Sequence, residues 1–90
     1  IAHIVLKFEK NRFPYIISKP IHHSQIVLSQ TDCTIQIIVR PNKELISLIF
    51  SFIPDVEVLE PKWFRNKIKE KIKSNMQKYF SVKLDCTEEQ

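Results

Sequence analysis

Apolar and polar positions alternate from Ala2 to Glu9. Ala2, Ile4, Leu6 and Phe8 fall on one side; His3, Val5, Lys7 and Glu9 fall on the other. That period of two predicts a strand with one buried face. The spacing then changes. Phe13, Ile16 and Ile17 recur at helical intervals within Lys10 to Ile17, Pro14 is compatible with a first turn, and Lys19-Pro20 closes the segment. Alternation resumes over Gln25 to Ser29 and Thr34 to Arg40, with Ile26 and Leu28 in the first run and Ile35, Ile37 and Val39 in the second. The two runs are joined by Gln30-Thr31-Asp32-Cys33, which predicts an antiparallel hairpin with a turn looser than a two-residue one.

Asn42 is placed to cap a second helix, with Glu44 in its first turn. In that helix Leu45, Leu48, Ile49 and Phe52 stand at i, i+3, i+4 and i+7, and Ile46 and Phe50 widen the apolar face. Pro54-Asp55 breaks the helix, Val56 to Leu59 reads as a fourth strand, and Pro61 suits the first position of a last helix. Phe64, Ile68, Ile72, Met76 and Phe80 recur there every fourth residue as one stripe. From Ser81 the sequence is polar and is expected to fray. The element order β-α-β-β-α-β, followed by α, predicts an α+β domain of the ferredoxin-like (split βαβ) kind. Both short helices should cover one face of a four-stranded antiparallel sheet.

Ninety residues with 43% hydrophobic content fit one small domain, here taken as residues 1–80 with a tail over 81–90. The longest apolar run, Leu45 to Ile53, is interrupted by Ser47 and Ser51. It is far shorter than the roughly 20 residues of a membrane span. The chain opens at Ile1 directly in a strand pattern, without an initiator methionine or signal pattern, and reads as a segment of a longer protein. Cys33 and Cys86 are too few for a disulfide framework, so free thiols and a cytoplasmic location are expected. Glycine is absent. Phosphate-cradling loops and dinucleotide fingerprints need glycine where backbone approaches the ligand, so neither is available here.

Charge is unevenly placed. Between Pro61 and Phe80 lie Lys62, Arg65, Lys67, Lys69, Lys71, Lys73 and Lys78 against Glu70 alone, a net of +6. The whole chain carries +4, so the remainder is −2. The basic character therefore belongs to one helix.

Two separated segments resemble a known family. One is Ser51-Phe52-Ile53-Pro54-Asp55-Val56-Glu57-Val58-Leu59-Glu60-Pro61, followed by Phe64-Arg65 and Ile68. The other is Lys19-Pro20-Ile21-His22-His23-Ser24-Gln25, leading into the second strand. With Phe8 and Tyr15, they are similar to the WCX domain, the C-terminal extension of WYL-domain transcriptional regulators, and the resemblance covers residues 1 to 80. One position departs: the family usually has glycine where this chain has Ile53, so the end of the second helix should be built differently. The resemblance implies a bacterial, helix-turn-helix regulator that binds DNA through an N-terminal domain and carries a middle WYL domain, both outside this chain. It further implies an effector, either a nucleic acid or a small molecule, and a homo-oligomer such as a dimer.

Adjacent histidines on an extended segment point to opposite sides, so His22 and His23 are not expected to chelate one ion, and no metal or other cofactor is expected. His22 and Ser24 are expected to fix their loop through hydrogen bonds to backbone, with His22, Ser24 and Gln25 as a possible ligand or interdomain contact. Asp55, Glu57 and Glu60 lack the cleft and electrophile-stabilising partner of a general acid/base pair. They read instead as capping and solvated carboxylates, so no catalytic residues are assigned and no enzyme is expected. The last helix reads either as a solvated amphipathic face, whose lysine stems shield apolar surface, or as the candidate contact surface for nucleic acid or a partner, through Lys62, Trp63, Arg65, Lys69 and Lys73. RNA binding on the sheet is not expected, since the third strand holds no aromatic for base stacking. The leading expectation is a non-catalytic regulatory module. The alternative is a stand-alone nucleic-acid-binding domain working through the basic helix.

Overall fold

The computed structural model describes the backbone of residues 1–86 and the side chains through Tyr79. Seven elements follow the order read from the sequence: β1 (Ala2–Phe8), α1 (Phe13–Ser18), β2 (Ile26–Ser29), β3 (Thr34–Val39), α2 (Lys43–Phe52), β4 (Val56–Glu60) and α3 (Lys62–Cys86). The strands form one four-stranded sheet in the order β2-β3-β1-β4, with every neighbouring pair antiparallel. The fold is α+β, with β1 and β3 at the centre.

Alternation decides the core. Ile4, Leu6 and Phe8 of β1, Ile35 and Ile37 of β3 and Val58 of β4 are buried in one cluster. Phe13 and Ile16 of α1, Leu45 and Ile49 of α2, and Phe64 and Ile68 of α3 join it, so the helices cover the same face. The other face stays open. There Val5 stands opposite Gln36, and Gln36 opposite Ile26. Ile26 and Leu28 are consequently exposed, because the side-chain period of two sends them away from the helices.

Local chemistry shapes the connections. Asn42 Oδ1 accepts a hydrogen bond from Leu45 N at 2.9 Å, capping α2 as its position in the sequence predicts. At the other end of α2, Ile53 takes an extended conformation (φ −62°, ψ 137°) and its N–H donates to the Phe50 carbonyl. The helix thus closes without the left-handed residue that glycine would supply. The hairpin turn does need a left-handed residue, and Cys33 takes it with φ 57°. Asp32 N donates to Ser29 Oγ beside it, and the ladder shifts register between Val27 and Ser29. Arg12 ties α1 to the turn before β4: its guanidinium lies 5.3 Å from the ring centres of both Tyr15 and Phe52, and 3.8 Å from the Asp55 carboxylate.

Three expectations change. Pro61 precedes α3 rather than opening it, and its carbonyl accepts from the Phe64 and Arg65 amides. Glu60 pairs in the sheet opposite Val5, and its carboxylate caps no amide among the described residues. Lastly, α3 runs on through Cys86, past the end expected at Phe80. Residues 87–90, the rest of the expected tail, lie outside the described residues.

Candidate binding surface

The segment between α1 and β2 is a turn rather than a strand. Extended residues would send His22 and His23 to opposite sides; instead their ring centres are 4.1 Å apart with planes inclined by 31°. The opposed orientation expected of the pair is therefore corrected. Bends at Ile21 and His22 and a turn at His23 and Ser24 remove the alternation on which it rested. No group of three or more metal-ligating side chains is assembled among the described residues.

Ser24 does the work of a missing strand residue. Ile26 is paired with Gln36, so continuing the ladder by two residues would place Ser24 opposite Ile38. Its hydroxyl oxygen takes over there, accepting from Ile38 N at 2.8 Å and lying 3.3 Å from the Ile38 carbonyl. The same oxygen is 2.8 Å from His22 Nδ1, which also accepts from Ser24 N at 3.1 Å. Because Nδ1 accepts a backbone N–H, the neutral ring carries its proton on Nε2. Gln25 binds both sides of the loop: its Oε1 accepts from Ile21 N at 2.9 Å and its Nε2 donates to the Ile16 carbonyl at the end of α1 at 3.1 Å. The polar atoms of Ser24 and Gln25 thus hold the entry into β2.

The basic helix forms the larger surface. Its 25 residues extend about 37 Å at 1.5 Å per residue. The strand it packs on, β4, has five residues and spans about 16 Å. The helix therefore overruns its support. Phe64 (0% exposed) and Ile68 (5%) are buried, whereas Ile72 (41%) and Met76 (49%) on the same stripe are not. Sequence spacing had grouped all of them in one stripe. Only the length of β4, which spacing along α3 does not report, divides it. The Phe80 side chain lies outside the described set.

Beside Ile68 and Ile72 an open cleft of about 220 Å³ runs between α3, β4 and the end of α2. Ile49, Ile53, Val56 and Val58 form its apolar floor and far wall, with Arg65 and Lys69 at the α3 side. Arg65 Nη1 donates to Glu57 Oε2 at 2.9 Å and to the Val58 carbonyl at 2.6 Å. The ion pairs among the described residues are Arg65–Glu57 and Arg12–Asp55. Lys62, Lys69 and Lys73 are exposed and make none. Trp63, 52% exposed, stands on α3 beside Phe64, their ring centres 5.7 Å apart. Of the five residues read as a contact surface, Arg65 is thus held by β4, and the three lysines and Trp63 stand open to solvent. Sequence reasoning did not pick out Ile49, Ile53 and Val56 as a wall of the cleft. They come from two elements, and their convergence depends on how α2 returns to β4.

The chain is thus a small α+β domain with one open sheet face and a basic helix projecting beside an apolar cleft. The family model of the WCX domain matches residues 2–74. The chain belongs to the WCX domain family, a WYL-associated regulatory domain. No match was found among curated proteins. No helix of the described residues is long and apolar enough to cross a membrane.

Proposed function

We propose that this chain is the non-catalytic C-terminal regulatory module of a bacterial, cytoplasmic DNA-binding transcriptional regulator. The observation that carries the reading is the WCX match over residues 2–74. In this proposal an N-terminal domain binds the promoter, and this module senses an effector (a nucleic acid or a small molecule), contributes contacts within a homo-oligomer such as a dimer, or both. The arrangement of carboxylates supports a non-catalytic role. Glu57 is engaged by Arg65, Asp55 by Arg12, and Glu60 lies at the sheet edge, so none is set against another as an acid/base pair.

Fluorescence anisotropy with duplexes covering the regulator's promoter tests this division of labour. The 90-residue chain should bind them without sequence preference, weakly and with affinity that falls as salt rises. Nanomolar, sequence-selective duplex binding by this chain would overturn the proposal in favour of a stand-alone nucleic-acid-binding domain.

A further inference from the structure

We propose that the overrunning half of α3, together with the cleft at its base, is a docking site for an acidic amphipathic helix of a partner polypeptide. The inference rests on reading the chain as a binding module and names the partner's chemistry. Two properties coincide along the surface. Ile72 and Met76 are both exposed and are continuous with the buried Ile68, so the apolar stripe that packs on the sheet runs out into solvent. Tyr79, 71% exposed and three residues beyond Met76, extends it by a further turn. Residues at i, i+4, i+8 and i+11 on one side of a helix form the seam that a second helix covers. At its base the seam opens into the apolar cleft, which offers a recess for an anchoring side chain.

Charge selects the occupant. Lys69 and Lys73 lie along one edge of the stripe and Lys71 and Lys78 along the other, and none has an ion-pair partner among the described residues. A second copy laid stripe to stripe would bring its own +6 against this one, and like charges across an interface oppose association. A nucleic acid would answer the lysines but leave Ile72 and Met76 in water, since phosphates cover no apolar surface. Membrane-surface helices embed a broad apolar face, whereas this stripe is narrow and bordered by lysine on both sides. A helix with leucine-like residues in a row, bordered by carboxylates, answers both the seam and its edges.

The probe is a fluorescein-labelled synthetic helix of about five turns, with leucines in one stripe and glutamates on both flanks. Two controls replace either the glutamates by lysines or the leucines by serines. The acidic leucine peptide should bind with micromolar Kd, and each control at least about tenfold more weakly. The double variant Ile72→Ser, Met76→Ser and the double variant Lys69→Glu, Lys73→Glu should each weaken binding about tenfold, and the second should gain affinity for the lysine peptide. All four positions are exposed, so circular dichroism and melting temperature should match the parent chain. Three results would overturn the proposal: no binding of the acidic leucine peptide, equal binding of its serine control, or tighter binding of single-stranded oligonucleotide or phosphatidylserine vesicles that ignores Ile72→Ser, Met76→Ser. Failure here is distinguishable from failure of the regulator reading, which turns on selective duplex binding and is insensitive to these peptides.

Discussion

Arg65 reaches from the first turn of α3 to Glu57 of β4, one Nη1 lying 2.9 Å from the carboxylate and 2.6 Å from the neighbouring Val58 carbonyl. The contact ties the first turn of α3 to β4, ahead of the buried Ile68 and of the projecting part of the helix. Both side chains are about half exposed (44% and 54%), so the ion pair itself should contribute little in water. Arg65→Ala should cost about 1 kcal/mol in urea denaturation, because the Val58 carbonyl also loses its donor. Glu57→Ala should cost less than about half of that, and its effect should fade in 1 M salt, where the Debye length is about 3 Å.

The two halves of the α3 stripe should answer substitution differently. Phe64 is fully buried, so Phe64→Ala should destabilise by about 3–5 kcal/mol, with Phe64→Leu a milder change in the same direction. Ile72→Ser, about one turn beyond the buried Ile68 and itself 41% exposed, should lie within about 0.5 kcal/mol of the parent chain. Thermal or urea unfolding monitored by circular dichroism reads both. A comparable loss at Ile72 would mean that the distal stripe packs on the body of the domain.

Cys33 holds a left-handed conformation in a chain without glycine, an arrangement that costs a residue with a Cβ about 1–2 kcal/mol. Comparing two small replacements separates this backbone cost from the loss of the buried sulfur. Cys33→Gly should be more stable than Cys33→Ala by about 1 kcal/mol, although glycine elsewhere in a strand or helix is the less stable of the two. Equal stabilities would place the left-handed turn elsewhere.

Ser24 substitutes for a strand residue opposite Ile38, so removing its hydroxyl should act on β3 from fourteen residues away. Ser24→Ala should cost about 1 kcal/mol, the usual loss for one hydrogen bond. The Ile38 amide should show faster hydrogen exchange, while amides at the β1–β3 centre such as Ile37 should keep theirs. Unchanged exchange at Ile38 would show that the loop does not protect it.

Much of this architecture was legible because each element carries its own period. Ile4, Leu6 and Phe8 announced β1 by alternation, and Asn42 announced the start of α2 by its capping chemistry. Ile53 stood out only against the glycine that the resembling family usually has there, since a β-branched residue resists positive φ, and the chain turns there through an extended conformation. What escaped depends on relations between elements. The approach of His22 to His23 follows from a turn that no Gly or Asn-Gly signal marks. The role of Ser24 requires knowing that Ile26 faces Gln36. The exposure of Ile72 and Met76 follows from the shortness of β4 relative to α3, and the cleft from Ile49 and Ile53 meeting Val56 across a break. Periodicity within a segment reports which face is apolar; it does not report whether anything is there to cover that face.

The central claim, that this chain is the regulatory module of a DNA-binding regulator, is tested most directly by determining the coding sequence immediately upstream of Ile1. The account predicts, in one continuous reading frame, a winged helix-turn-helix followed by a WYL domain. An upstream frame that encodes neither, or a start codon directly before Ile1, would contradict it.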